Sequence, residues 1–137
     1  MAVIEQLIRT EDNGTLSFGN YELTEKSKVS DFEHDGDRYK VKTFYEITKL
    51  ERNGMFVYES VPGTTVHEFK ATEKGVSFNV ESNKDAQITL ELESGKEYRV
   101  FINDVNTGKM KTNLGGKLPL SVELGNNALV SVRVEKL

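Results

Sequence analysis

The chain has no cysteine and no tryptophan, only two prolines and two histidines, and no long apolar run in its 137 residues. Without cysteine there are no disulfides, no thiolate metal ligands and no cysteine nucleophile, so a packed core must supply the stability. No stretch approaches the roughly 18 apolar residues of a membrane-spanning helix, and the opening Met1-Ala2-Val3-Ile4-Glu5-Gln6 has no basic region leading into an apolar one. A soluble, non-secreted, cytoplasmic protein is the expectation. An excess of positive charge is also missing: the net charge is -4 and lysines alternate with acids. The counterion release that drives nucleic-acid binding therefore has no source, which argues against DNA and RNA as partners. No Gly-x-Ser-x-Gly elbow, phosphate loop or metal-ligand spacing occurs, so no catalytic residue, cofactor or metal is assigned.

What the chain does have is alternation. From Ala86 to Leu137 apolar and polar residues take turns, interrupted by short glycine- or asparagine-bearing breaks, as in strands with one buried face. Val76, Phe78 and Val80 belong to this pattern. So do Ile88, Leu90, Tyr98 and Val100, then Leu118, Leu120, Val122 and Leu124, then Val130, Val132 and Val134. These are the expected core positions. Pro119 donates no ladder hydrogen bond, which places the Leu118–Leu124 strand at a sheet edge or Pro119 in its opening residues.

Turn chemistry divides the rest. Asn53-Gly54 tolerates positive φ at both centres of a type I′ hairpin, a two-residue loop that would set Leu50 opposite Val57 and Lys49 opposite Tyr58. Asp12-Asn13-Gly14 separates Val3–Thr10 from Thr15–Leu23, and Asp35-Gly36 separates Lys28–His34 from Asp37–Ile47. Val61-Pro62-Gly63-Thr64 reads as a type II turn and Thr72-Glu73-Lys74-Gly75 as the next break. A three-residue loop at Glu93-Ser94-Gly95 would put Leu90 opposite Tyr98 and Ile88 opposite Val100 in one hairpin. Val3, Ile4, Leu7 and Ile8 fit a strand or a short amphipathic helix, and strand is the reading taken. The sum is about nine to eleven short strands with no helix to cover a sheet, hence an all-β, two-sheet β-sandwich. It forms one domain over residues 1–137, with Lys84-Asp85 (84–85) as a candidate joint.

Three groups of residues could carry chemistry. Asp31-Phe32-Glu33-His34-Asp35-Gly36-Asp37 has the acid spacing and glycine of a calcium loop's opening, but Lys42 stands at its twelfth position, so an acidic hairpin turn is expected. His34 and His67 each lie beside acids and read as solvated histidines. Tyr39, Tyr45 and Tyr58 read by default as core residues; the alternative is a ring-bearing sheet face on which a saccharide stacks.

The runs Tyr98-Arg-Val-Phe-Ile-Asn-Asp-Val, Gly108-Lys-Met-Lys-Thr-Asn-Leu-Gly-Gly-Lys-Leu-Pro-Leu-Ser-Val-Glu-Leu and Val130-Ser-Val-Arg-Val resemble the closing strands of immunoglobulin-like accessory modules of bacterial polysaccharide-active enzymes. That resemblance implies an immunoglobulin-like C-terminal half. The whole chain, notably Ile8-Arg-Thr-Glu-Asp-Asn-Gly-Thr-Leu-Ser-Phe-Gly and Asn53-Gly-Met-Phe-Val-Tyr-Glu-Ser-Val-Pro-Gly-Thr, resembles a small uncharacterised family from anaerobic Gram-positive bacteria, some of whose members carry the label endosialidase. Sialidases have Ser-x-Asp-x-Gly-x-x-Trp boxes and an arginine triad, and with no tryptophan here no catalytic residue carries over. The expectation is a non-catalytic binding or assembly module in a homo-oligomer, with carbohydrate binding as its specific version. The alternative is a glycan hydrolase using a carboxylate pair.

Overall fold

A computed structural model describes residues 3–126 and 128–137. Thirteen strands follow one another: β1 (Ile8–Thr10), β2 (Leu16–Phe18), β3 (Ser27–His34), β4 (Asp37–Phe44), β5 (Ile47–Arg52), β6 (Met55–Val61), β7 (Thr65–Thr72), β8 (Gly75–Glu81), β9 (Ala86–Glu91), β10 (Glu97–Ile102), β11 (Val105–Lys111), β12 (Lys117–Val122) and β13 (Val130–Lys136). They form a seven-stranded sheet of order β1-β2-β7-β8-β13-β10-β11 and a six-stranded sheet of order β12-β9-β6-β5-β4-β3. Every pairing is antiparallel. The two sheets pack face to face, so the protein is an all-β sandwich, as the alternation requires. Among the described residues no helix is long and apolar enough to cross a membrane.

The strand number exceeds nine to eleven, while β1 and β2 are shorter than expected, at three residues each. Within the expected strand Val3–Thr10, only Ile8–Thr10 is extended among the described residues. Leu7 takes φ 72° and its amide bonds the Ile4 carbonyl at 2.9 Å, closing a turn in place of strand or helix. The expected strand Thr15–Leu23 likewise ends at Phe18.

The core is built from the positions the alternation marks. Val76, Phe78, Val80, Ile88, Leu90, Tyr98, Val100, Leu118, Leu120, Val122, Leu124, Val130, Val132 and Val134 are all buried. Tyr58, reaching across from β6, meets Phe18 at 5.3 Å and Phe78 at 5.7 Å in edge-on contacts with rings of the other sheet. Such pairs add about 0.5–1.5 kcal/mol each beyond the area they bury, so this cluster is a principal clamp between the layers.

Three expected connections fold differently. At Asn53-Gly54 both residues have positive φ, 52° and 80°, and Arg52 pairs with Met55, as a type I′ hairpin demands. The register then shifts between Leu50 and Glu51: Val57 is the extra residue of a bulge, so Leu50 faces Tyr58 and Lys49 faces Glu59. The shift turns Tyr58 inward beside Leu50, where its ring is buried. The Glu93-Ser94-Gly95 segment is no hairpin, because β9 pairs β12 and β6 while β10 pairs β11 and β13. Leu90 and Tyr98 belong to opposite layers of one core. The Val61–Thr64 segment also changes sheets, and Gly63 lacks the positive φ of a type II turn. Gly63 is needed for a different reason, since a Cβ there would lie 2.0 Å from the Phe44 carbonyl oxygen.

Lys84-Asp85, the candidate joint, is the passage from β8 to β9 and so from one sheet to the other. Asp85 ties it down, accepting the amides of Leu124 and Gly125 at 2.8 Å each. Pro119 sits in β12, at the edge of the six-stranded sheet, as its missing donor requires.

Candidate functional site

Two bulges lie near the end where the sandwich opens. One interrupts the β5–β6 pair at Val57, and the other interrupts the β7–β8 pair between His67 and Lys70. A bulged strand bends and twists more strongly, so hairpin tips beyond a bulge can leave the mean plane of their sheet. Beyond these two bulges, the Asn53-Gly54 tip of one sheet and the Glu73-Lys74 tip of the other flank a cleft of about 540 Å³. Its volume is in the range of small-molecule sites.

The cleft is apolar below and polar at the mouth. Leu90, Tyr98, Phe69 and Val76 lie at its floor, and Phe56, Val57 and Ala71 stand along its walls. Met55, at the lip, is 65% exposed although alternation alone would shelter an apolar residue. Arg52 and Asn53 line it from the six-stranded sheet, Glu73 from the seven-stranded one, and Glu91 and Glu93 from the end of β9 and the segment that follows.

These charges differ in what holds them. Lys117 ion-pairs Glu91 while its ammonium lies 3.8 Å from the centre of the Phe56 ring. Glu93 faces Lys136 at 3.4 Å and Lys96 at 3.8 Å, and its amide donates to the Tyr98 hydroxyl at 3.1 Å. Both cleft carboxylates of the β9 end are thus engaged by lysines. Arg52 and Glu73 have no ion-pair partner among the described residues. The Tyr39 hydroxyl is next to Arg52: burial raises the phenol pKa above its ordinary value, and the guanidinium opposes that only in part.

Two of the three tyrosines pack in the core, as the default reading has it. Tyr58 is fully buried, with its hydroxyl 2.8 Å from Thr64 Oγ1, and its pKa is pushed up by that burial. Tyr39 lies with Val41 and Thr43 on the inner face of β4 and is 8% exposed. Neither offers a ring face to a ligand. Tyr45 lies in the β4–β5 turn, half exposed, its ring edge-on to Phe44 at 5.4 Å and its pKa raised by a hydrogen bond with Glu46.

The histidines are less solvated than expected because each has a partner. The His34 side chain is 8% exposed, held by Thr10 Oγ1 at 2.9 Å from Nδ1 and Asp35 at 3.4 Å from Nε2. His67 Nε2 lies 3.1 Å from Oε2 of Glu81, whose side chain is only 3% exposed. The Asp31–Asp37 stretch forms the expected hairpin, Asp35 and Gly36 taking φ 50° and 82° and His34 pairing with Asp37. Among the described residues no three histidine, aspartate or glutamate side chains converge as a metal site would need.

Sequence reasoning missed the cleft, since its walls come from strands distant in sequence and its opening depends on bulges that alternation does not announce. The one available signal was Met55, an apolar residue directly after a type I′ turn. Compared with protein-family models, curated proteins and solved structures, the chain matches none of them.

Proposed function

We propose that this protein is a non-catalytic binding module whose ligand enters the cleft between the two hairpin tips. The carrying observation is the cleft itself: an apolar floor between the sheets, a mouth edged with charge, and two of its three carboxylates, Glu91 and Glu93, held by lysines. Polar side chains elsewhere serve the fold, as in His67 against Glu81 and Glu11 against Ser17, whose hydroxyl draws the Glu11 pKa down. Filling the cleft tests the reading. A small-molecule screen read by amide chemical shifts on the intact chain should yield a ligand that Ala71→Phe excludes while the fold stays intact; a ligand unaffected by Ala71→Phe overturns the proposal.

Saccharide binding is the second reading, and Tyr45 supports it as the exposed tyrosine of the expected three. A glycan array should then give a ligand whose affinity falls in Tyr45→Ala, and silence across the array removes this version. Assembly has weaker support, because every sheet edge carries an interruption. For the C-terminal half we retain immunoglobulin-like kinship as a proposal, supported by the way β9 to β10 and β12 to β13 alternate between layers.

A further inference from the structure

One residue ties the β5–β6 turn to the neighbouring β3–β4 hairpin. Asn53, at φ 52°, still reaches β4, its amide donating to the Arg38 carbonyl at 2.7 Å. Its side chain supplies two further bonds, Oδ1 accepting the Arg38 amide at 2.9 Å and Nδ2 donating to Asp37 Oδ1 at 2.9 Å. The next residue is Gly54, exposed, with open space where a Cβ would stand. Asparagine is thermolabile, and most so before glycine, where no side chain shields the attacking amide. We infer that Asn53 is a site of spontaneous deamidation, restrained by its two side-chain hydrogen bonds to the β3–β4 hairpin, and that the modification releases the β5–β6 tip from that hairpin.

The Gly54 amide nitrogen, giving its proton to water, attacks Cγ of Asn53. The bond from Cγ to Nδ2 breaks, the nitrogen takes a proton and leaves as ammonia, and a cyclic succinimide results. Water then adds to either ring carbonyl and opens it, leaving aspartate or isoaspartate at position 53 with no oxidant or reductant involved. Attack makes Cγ tetrahedral, which swings Oδ1 and Nδ2 out of the plane in which they meet Arg38 and Asp37, and departure of ammonia removes the bond to Asp37 outright. Both bonds therefore oppose the reaction, the second more strongly because its acceptor is a carboxylate. The product lacks the donor. An aspartate at position 53 sets one carboxylate against another where a 2.9 Å hydrogen bond stood, and isoaspartate lengthens the main chain of a two-residue turn. The tip then detaches from Asp37. Because Arg52, Asn53 and Met55 line the cleft, one of its walls loosens.

The intact chain is kept warm at mildly alkaline pH, in buffer and in concentrated urea, and the peptide holding Asn53 is followed by mass spectrometry for the conversion of amide to acid. Deamidation should run about tenfold or more slower in buffer than in urea, and Asp37→Ala should speed it several-fold in buffer while leaving the urea rate unchanged. No conversion in urea overturns the site. Equal rates in buffer and urea, or an Asp37→Ala rate in buffer equal to that of the parent chain, overturn the restraint. Amide shifts verify that Asp37→Ala is folded, and the comparison of buffer with urea needs no variant. Asn53→Asp carries the product's charge from the start and should shift the Arg38 amide together with residues 52–55. A spectrum of Asn53→Asp that matches the parent everywhere outside position 53 overturns the release of the tip.

Discussion

Thr48 carries more of the fold than its size suggests. Its hydroxyl donates to the Thr64 carbonyl at 2.8 Å and accepts the Thr64 amide at 3.0 Å. With its one proton spent, it must accept from Thr43 Oγ1, which in turn accepts the Asn20 amide at 2.9 Å. This chain of buried hydroxyls fixes the point where β6 leaves one sheet and β7 enters the other. Replacing Thr48 by valine keeps the shape and strips the partners from a buried amide and a buried carbonyl, each costing about 1–3 kcal/mol. Urea denaturation should show Thr48→Val less stable by roughly 2–6 kcal/mol, and a loss within error of zero would mean that water reaches the site. Tyr58 gives a second residue-level test. Its folded pKa is raised, so the native state holds a proton that the unfolded chain releases near pH 10. That stabilisation is complete below about pH 10 and is lost as pH rises towards the folded value. Absorbance of phenolate should therefore include a late component that appears only as the fold melts in alkali. Complete tyrosine ionisation near pH 10 with the sandwich intact would contradict the burial.

At the scale of elements, legibility followed the range of the interaction. Turns such as Asn53-Gly54 and Asp35-Gly36 were readable because one dipeptide determines the geometry. Asn103-Asp104 forms the same kind of turn, at φ 51° and 65°, and was less conspicuous for want of a glycine. The core face was readable because period-two burial is a local property, and Pro119 marked its edge strand because a missing donor is a property of one residue. Bulges and crossovers were not. Whether Glu93-Ser94-Gly95 closes a hairpin or changes sheets depends on which strands compete for β9 and β10, and both outcomes bury the same side chains. Val57 could not be read as a bulge because Val and Tyr at adjacent positions are both acceptable inside, and packing of Tyr58 against Phe18 and Phe78 decides between them. Two glycines separate local from long-range demand. Gly54 has open space around it, so Gly54→Ala should cost about 1–2 kcal/mol through its positive φ alone. Gly63→Ala should cost more, on the order of 3 kcal/mol, because the added methyl meets the Phe44 backbone. Equal effects in thermal denaturation would mean that the close approach at Gly63 relaxes freely.

For the whole molecule, the edges and the cleft define what the protein presents to others. β1 is three residues long, β12 contains Pro119, and β3 is broken by a register shift with Asp31 at φ 57°. β11 has its own register shift opposite Val100 and carries Lys109 and Lys111. Short edges, proline, bulges and lysines each obstruct edge-to-edge pairing. Light scattering should accordingly return the mass of a single chain over a wide concentration range; a stable oligomer would show that the expected self-association uses the sheet faces. The opening between the Asn53-Gly54 and Glu73-Lys74 tips is the place proposed for a ligand. The most direct measurement is amide shift mapping of the intact chain against the small-molecule screen. Changes confined to Arg52–Val57, Ala71–Val76 and Glu91–Glu93 are the expected result, and changes centred on Tyr45 or on the outer sheet faces would contradict it.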